Sequence, residues 1–472
     1  MRNPRNPEQV SRRQKGGWAT GVIADVFMAN VFNYLAQPIY IVALKVDPVF
    51  FGWALGLPRV WEAITDALMG HVSDNTRTRW GRRRPFVFWG AIASGVMFAL
   101  AWMPPAQASP QIIGIFFLIV ALLYYTAYTV FVVPWSAMGL ELTTDYYERT
   151  NVQVWKTIIQ AIGGLFLGGL WWLALHLGKT DVEGVRWVGI IFGLLIACAG
   201  VVPALVCKEA EAGQHQEKIQ FVKAFKQTFK NKAFLCVVGF NICVLLGVFT
   251  ITSLAFYINL LYVFVGDKTA VAQFNFWGNV VYQAAGLALT PLVSVVARHL
   301  GKQATLAAGF GLVILGFGMS FWTYTPAMPY LQLVTLGLLS PGLACLWVLG
   351  PSMLADVCDL DELQTGLRRE GMYSASYAWT IKAAIALTMI GSGYVLRIAG
   401  YDAALETAQP DGVVLRLRLM YMFVPMLLVA AGIFFVWLYP LSAKRAAEIR
   451  EQLDVRKRAT SNPDVAVPQY EK

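Results

Sequence analysis

The sequence predicts an all-α polytopic membrane protein with 12 transmembrane helices arranged as two halves of six. The first reason is composition: 57% of the 472 residues are hydrophobic and 14% are charged, against about 25% charged residues in soluble domains. The second is that apolar stretches of about 20 residues, the length that crosses a bilayer as a helix, recur from end to end. The third is a polar stretch, 208–232, that falls between the sixth and seventh of these apolar stretches.

Each apolar stretch is assigned to one span. The predicted spans are 18–44, 52–73, 86–104, 111–139, 152–177, 186–207, 233–264, 271–297, 303–324, 328–356, 372–399 and 418–440. The predicted units are a six-helix bundle over 1–207, a cytoplasmic linker over 208–232, a second six-helix bundle over 233–440 and a cytoplasmic tail over 441–472. The linker carries Phe221, Phe225 and Phe229 among lysines, which is typical of an interfacial helix, with a plain solvated linker as the alternative.

Basic residues concentrate in every second loop. They are Arg77, Arg79, Arg82, Arg83 and Arg84 in the second, Lys223, Lys226, Lys230 and Lys232 in the sixth, Arg298 and Lys302 in the eighth, and Arg368 and Arg369 in the tenth. This asymmetry predicts an integral protein of the plasma membrane, the inner membrane in a bacterium, with both termini cytoplasmic and anionic lipid headgroups as partners. Because the basic residues are scattered between spans, we expect no nucleic-acid partner.

The two halves resemble each other in sequence. The helix end Leu68-Met69-Gly70, which continues through Asp74 to a basic loop, corresponds to Pro291-Leu292-Val293 and the loop Gly301-Lys302. Two six-helix halves related by a parallel repeat are the architecture of the major facilitator superfamily, in which the solute site lies mid-membrane between the halves.

Ionisable residues inside the spans are few, and each needs a partner, a water-filled cavity or a function. Glu62 and Asp66 stand four residues apart in the second span, so both carboxylates project from one helix face beside Thr65. Such a pair can bind a metal cation such as Na⁺ or share a proton, and either would make a coupling-ion site. The structural alternative is a bridge to Lys156 or Lys382.

Several other residues are candidates to contact a solute. Lys382, deep in the eleventh span, can neutralise the two carboxylates or donate hydrogen bonds to a solute, and Asp25 is either a solute ligand or a helix-end partner. Trp135 and Trp347 can stack on a sugar ring or simply pack in the core.

The loop from Asp74 to Pro85 is dense in arginine, and an aspartate among arginines at a helix end can latch one conformation of a transporter. The predicted latch is the set Asp74, Arg79, Arg82, Glu141 and Arg149. The alternative is that these charges set membrane topology alone. The sequence contains no phosphate-binding glycine loop, zinc-protease motif or nucleophile elbow, so we expect neither an enzyme nor a cofactor.

Four segments resemble the glycoside/pentoside/hexuronide:cation symporters of the major facilitator superfamily. They are Trp61–Gly70, Asp74–Pro85, Glu141–Thr150 and the stretch from Ser352 through Arg369-Glu370-Gly371 to Lys382. The resemblance implies that Glu62, Asp66 and Thr129 bind Na⁺, Li⁺ or H⁺, with Glu62 where the family usually has Asp and Thr65 where its best-known member has Asn. It also implies solute-contacting roles for Asp25, Lys156, Trp347 and Lys382.

The expected function is therefore cation-coupled symport of a sugar, glycoside or hexuronide. Two sugar-holding positions of the family depart from its pattern, since they correspond here to Val132 and Ser136. The alternative is the same mechanism with an amphipathic lipid or another organic anion as the solute.

Overall fold

A computed structural model describes residues 10–105, 107–143, 146–207, 228–366 and 369–461. The α-helices in these ranges are α1 Arg12–Ala36, α2 Pro48–Asn75, α3 Arg84–Ala101, α4 Pro110–Glu141, α5 Tyr146–Leu167, α6 Leu170–Leu177, α7 Asp181–Val206, α8 Lys232–Ile258, α9 Lys268–Leu300, α10 Lys302–Thr323, α11 Gln332–Thr365, α12 Glu370–Ala399, α13 Val413–Leu438 and α14 Ala443–Ser461. A π-helical segment, Gln37–Ala43, extends α1, and a second, Asn259–Val263, extends α8.

Every predicted span overlaps one of these helices or a bent pair of them. In the described part of the chain, nine helices are long and apolar enough to cross a membrane, and two bent pairs raise the number to 11. Helix α2 falls outside that count although its 28 residues are long enough to cross, because Arg59, Glu62 and Asp66 interrupt its apolar run. The count of 12 therefore stays a prediction that depends on α2.

The predicted span 152–177 is broken into α5 and α6, which meet at an angle of 48°. The break lies at Gly168 and Gly169, where the backbone passes close to α9. A Cβ atom on Gly168 would come within 2.6 Å of the Asn279 side chain. Close approach at glycine is typical of the small-residue packing between membrane helices.

Several helices start at a residue whose side chain accepts hydrogen bonds from the free backbone N–H groups. Asp47 caps α2, Ser109 caps α4, and Asn231 caps α8, each by accepting from a backbone N–H two to three residues further on. The predicted linker 208–232 lies mostly outside the described residues, including Phe221 and Phe225, so its interfacial helix stays a prediction.

The two halves meet along two seams. Helix α2 of the first half runs antiparallel to α12 of the second, and α5 and α6 of the first half pack on α9. Helix α1 begins and α13 ends on one side of the molecule, called here the termini face, and the opposite side is called the far face. Mid-membrane, the α2–α12 seam carries the charged residues predicted to bind a cation.

Candidate cation and solute site between the halves

The carboxylates of Glu62 and Asp66 project from α2 toward α12, as their four-residue spacing predicts. The Lys382 ammonium of α12 donates to Glu62 Oε1 at 2.8 Å and also pairs with Asp66 Oδ2. The Glu62 side chain is 3% exposed and that of Asp66 is 24% exposed. The bridge to Lys382, one of the two alternatives for this pair, is therefore the arrangement in the structure.

Arg59 is a second cation at this site, and the sequence analysis missed it. Its guanidinium donates to Glu62 Oε2 at 3.0 Å and to the carbonyl of Ala29 at 2.6 Å, and it lies 4.6 Å from the centre of the Tyr125 ring. Two cations thus compensate two carboxylates. The signal was present in the sequence, because Arg59 precedes Glu62 by three residues and so shares its helix face.

The two threonines predicted to bind the cation lie beside the carboxylates. Thr129 of α4 donates to Asp66 Oδ1 at 2.9 Å, and its hydroxyl is 3.2 Å from the hydroxyl of Thr65. Thr65 is also within hydrogen-bonding distance of the Glu62 carbonyl, at 3.1 Å. Two carboxylates and two hydroxyls supply the hard oxygen ligands that Na⁺ or Li⁺ prefers, so these residues fit the predicted site.

Asp25 of α1 accepts a hydrogen bond from the Tyr128 hydroxyl at 2.8 Å. Tyr128 is on α4, one residue before Thr129, so α4 connects the Asp25 position to the cation site. The structure places Asp25 inside the bundle rather than at a helix end, which favours the solute-ligand alternative for this residue.

Lys156 of α5 and the two candidate tryptophans occupy different environments. The Lys156 ammonium lies 5.5 Å from the centre of the Trp135 ring. Trp135 is fully buried between Trp18 and Phe131, with ring centroids at 5.2 and 5.8 Å. Core packing is therefore the role of Trp135, whereas Trp347 is 44% exposed and its contact with a solute stays a prediction.

The family model described as MFS/sugar transport protein matches residues 17–443. This chain belongs to that family. It is therefore an integral membrane transport protein and not an enzyme, as the sequence predicts, and the predicted superfamily is confirmed.

Relatives and solved structures of this transporter differ in their solutes. The putative glycoside/cation symporter YagG of Escherichia coli is 26% identical, over 97% of this chain and 98% of its own. The sodium-dependent lysophosphatidylcholine symporter 1 of Gallus gallus is 23% identical, over 96% and 88%. The nucleoside transporter NupG superposes with a TM-score of 0.62 at 15% identity, over 91% and 99% of the two chains, which shows the fold alone.

Three of the five residues predicted to form the latch, Asp74, Arg82 and Glu141, meet in one ion-pair cluster within the first half. Arg82 pairs with Glu141 Oε1 at 2.6 Å, while Arg83 lies 2.7 Å from Asp74 Oδ1 and 2.6 Å from Glu141 Oε2. Arg83, 5% exposed, joins the ends of α2 and α4 and was missing from the predicted set. Arg79 is exposed on the surface, and the side chain of Arg149 lies outside the described residues.

The second half carries a corresponding cluster. Lys302 pairs with Asp356 at 2.5 Å, and Arg450 of the tail helix α14 binds Asp356 at 2.8 Å and Asp359 at 3.3 Å. Asp356 lies near the end of α11 as Glu141 lies at the end of α4. The sequence analysis did not predict a helix in the tail, which docks on α11 by burying Ile449 and Leu453.

Proposed function

We propose that this transporter is a cation-coupled secondary symporter of a sugar, glycoside or hexuronide that works by alternating access. The observation that carries the proposal is the ion pairing of Lys382, from the second half, with Glu62 and Asp66, from the first. A lysine of the second half thus neutralises carboxylates of the first half at the middle of the seam. Any ligand that changes this pairing also changes how the halves are held together.

The charges at the site explain how coupling would work. Arg59 and Lys382 already compensate Glu62 and Asp66, so a cation that binds the carboxylates adds a charge that nothing balances. Na⁺ at Asp66, or a proton on it, would therefore displace Lys382. The released ammonium is then available to donate hydrogen bonds to a solute, so that each ligand improves binding of the other, typically by about 1–3 kcal/mol.

The solute would bind between Asp25, Lys156, Lys382 and Trp347. An aspartate and two lysines offer an acceptor and donors for sugar hydroxyls, and the lysines can also pair with the carboxylate of a hexuronide. The half-exposed ring of Trp347 provides an apolar face for stacking. We place the protein in a plasma membrane, the inner membrane in a bacterium, with the termini face cytoplasmic, because its loops are basic.

The test is uptake of labelled sugars, glycosides and hexuronides into proteoliposomes, with Na⁺ and H⁺ gradients imposed separately. The variants are Glu62→Gln and Asp66→Asn. Glu448→Gln is the matched control, because Glu448 is a carboxylate of the tail helix that pairs with Arg445. We expect one gradient to drive accumulation in the wild type and in the control, and not in either site variant.

Accumulation that survives both site variants would contradict the coupling role of the two carboxylates. Failure of every sugar under both gradients would contradict the sugar assignment.

A lipid solute is the second candidate, and a specific surface supports it. A groove of about 390 Å³ lies where α5, α6 and α7 of the first half meet α9 of the second. It is lined almost wholly by apolar side chains, namely Phe166, Leu170, Trp172, Leu173, Phe192, Phe276 and Trp277, with Gln273 as the polar exception. An apolar groove between the halves suits an acyl chain better than it suits a sugar.

Uptake of a fluorescent lysophosphatidylcholine in the same vesicles separates the two candidates. If the lipid is the solute, Leu173→Asp, which puts a charge in the groove, should reduce its uptake at least tenfold. Leu177→Asp, on the same helix but outside the groove, is the control. Lipid uptake equal in both variants, or none in the wild type, would exclude the second candidate.

A further inference from the structure

Six charged side chains lie between the two faces of the molecule and form one connected site. They are the acids Asp25, Glu62 and Asp66 and the bases Arg59, Lys156 and Lys382. Arg59 and Lys382 both bind Glu62, and Lys382 also binds Asp66. The charges of Lys156 and Lys382 are close enough to act on the Asp25 carboxylate. A ligand that enters this site therefore meets all of these charges together.

The charges of the empty site cancel. Three carboxylates and three bases give no net charge when all of these groups are ionised. One bound Na⁺, Li⁺ or H⁺ then leaves one positive charge in excess, whichever carboxylate receives it. Protonation of Asp25 would only add to that excess.

The excess charge matters most when the site is closed to both faces, a state through which alternating access must pass. Water is then largely excluded, and an unbalanced charge in the interior of a membrane protein is costly. The empty carrier passes through the closed state with a neutral site. The cation-loaded carrier is equally neutral only if the solute contributes one negative charge.

We infer that the solute is a monoanion that enters with one cation, so that the loaded and the empty carrier have the same net charge. The inference rests on the cation coupling of the proposed function and selects, among its solutes, a hexuronide over a neutral sugar or glycoside. Zwitterionic lysophosphatidylcholine has no net charge and would leave the excess positive charge uncompensated.

Two lysines are placed to bind the carboxylate of the solute. Lys382 is released when a cation takes its place at Asp66. Lys156 lies 5.5 Å from the centre of the Trp135 ring and forms no ion pair with a described acid. An ammonium group binds a carboxylate more strongly than it binds a neutral hydroxyl, because both partners are charged. A neutral solute would use neither charge.

Val132 is a position at which the charge of the site can be changed by one. It is half-buried on α4, four residues beyond Tyr128, which binds Asp25, and three beyond Thr129, which binds Asp66. It therefore shares their helix face. Val132→Asp gives the empty site one negative charge, which a cation alone then neutralises, so the variant should prefer a neutral solute. Val132→Asn has nearly the same shape without the charge and is the matched control.

Lys156→Gln makes the same change of charge from another helix, by removing a base instead of adding an acid. Lys156→Arg keeps the charge and is its control. Because the two charge variants alter different helices, misfolding of one leaves the other as the test. Loss of a contact to the solute would only reduce uptake, whereas the change of charge should also raise uptake of the neutral solute.

The experiment is uptake into proteoliposomes of a glucoside with the matching glucuronide, and of a galactoside with the matching galacturonide. The members of each pair differ only in that the hydroxymethyl group of the glycoside is a carboxylate in the uronide. The membrane potential is held at zero or made negative inside with K⁺ and valinomycin. Cotransport of one cation with one monoanion moves no net charge, so the potential should not change the steady-state accumulation of the uronide.

We expect the wild type to prefer the uronide by at least tenfold in kcat/KM. Val132→Asp and Lys156→Gln should each lower that preference at least tenfold and raise uptake of the glycoside, while the Asn and Arg controls keep the preference of the wild type. A wild type that prefers the glycoside, uronide accumulation that rises when the inside is negative, or an unchanged preference in both charge variants would overturn this inference alone. No uptake of either member of any pair would contradict the proposed function, and this inference with it.

Discussion

Glu62 serves both halves of the transporter because a glutamate is long enough to use its two oxygens separately. One oxygen accepts from Arg59, on its own helix, and the other from Lys382, across the seam. Asp66 has no second cation of this kind among the described residues and relies on Lys382 and the Thr129 hydroxyl. Asp66 is therefore the carboxylate whose charge depends most directly on whether Lys382 stays.

Lys382→Met should make the site bind a cation more strongly while destabilising the cation-free protein. Methionine keeps the length of the side chain but removes the charge, which leaves Asp66 without its counter-ion. Breaking a buried pair costs about 3–5 kcal/mol, and we expect the lower end because Asp66 is partly exposed. Thermal unfolding with and without Na⁺, Li⁺ or low pH measures both effects.

The control for this variant is Lys444→Met, at an exposed position of the tail helix. A cation that saturates the site at 100 times its Kd stabilises by about 2.7 kcal/mol, so the rise in Tm should be clear in Lys382→Met. An equal response to cations in both variants would show that Lys382 does not compete for the site.

Thr129→Val should weaken cation binding about tenfold, because it removes the hydroxyl that donates to Asp66 while preserving side-chain shape. Thr126→Val is a matched control one turn away on α4, where the hydroxyl accepts from Trp61 instead. Isothermal titration with Na⁺ or Li⁺ compares the two. If Thr126→Val weakens binding as much as Thr129→Val, the effect arises from α4 packing and not from coordination.

At the level of elements, arginine clusters join helix ends in each half. Arg83→Gln should lower the free energy of unfolding by about 1–3 kcal/mol, because it leaves Asp74 without a partner in this cluster and weakens that of the half-buried Glu141. Arg79→Gln, in the same loop but exposed, should have no effect. Thermal unfolding of the two variants checks this, and an unchanged stability in Arg83→Gln, as in Arg79→Gln, would assign the loop charges to topology alone.

Helix α14 should undock when Arg450 is neutralised. Arg450→Gln leaves the buried Asp356 with Lys302 alone and removes the link to Asp359. Hydrogen exchange in 443–456 should then rise at least tenfold. Arg445→Gln breaks only an exposed ion pair within the helix, so most of the protection against exchange should remain in that variant. Unchanged exchange in Arg450→Gln would mean that Ile449 and Leu453 alone hold the helix.

The helices were easier to predict from the sequence than the contacts between them. Long apolar runs give the spans, and a four-residue spacing places Glu62 and Asp66 on one face, because both patterns depend only on helix geometry. The break at Gly168 and Gly169 depends on the close approach of α9, which no local pattern reveals. The tail helix is rich in charged residues, so its sequence is typical of a solvated tail. Only the structure shows that Arg450 binds Asp356.

At the scale of the whole molecule, the relation between the halves is set by contacts between residues far apart in sequence. Lys45 and Glu406 are 361 positions apart and both lie in loops, so neither spacing nor periodicity could pair them. Their pair, and that of Asp47 with Arg397, closes the α2–α12 seam on the far face. The pair of Asp181 with Lys268 joins α7 to α9 across the halves.

Closure of the far face by Glu406 should be independent of pH over the physiological range. The hydrogen bond and charge of Lys45 lower the pKa of the Glu406 carboxyl. A lowered pKa means that the pair is fully formed above the ordinary glutamate pKa of about 4.3 and is lost only as the pH falls below it. The far face should therefore stay closed from about pH 6 to pH 8.

Access to Ala386→Cys, a position that is 1% exposed beneath Gly56, measures this closure with a membrane-impermeant thiol reagent. Rates are divided by those of Leu405→Cys, which is exposed in the far-face loop, to remove the pH dependence of the thiol. The ratio should stay constant from about pH 6 to pH 8, and it should rise when Arg397→Gln and Asp181→Asn open both seams. A ratio that climbs as the pH falls within this range would show that another titrating group controls the far face, since Glu406 remains ionised throughout it.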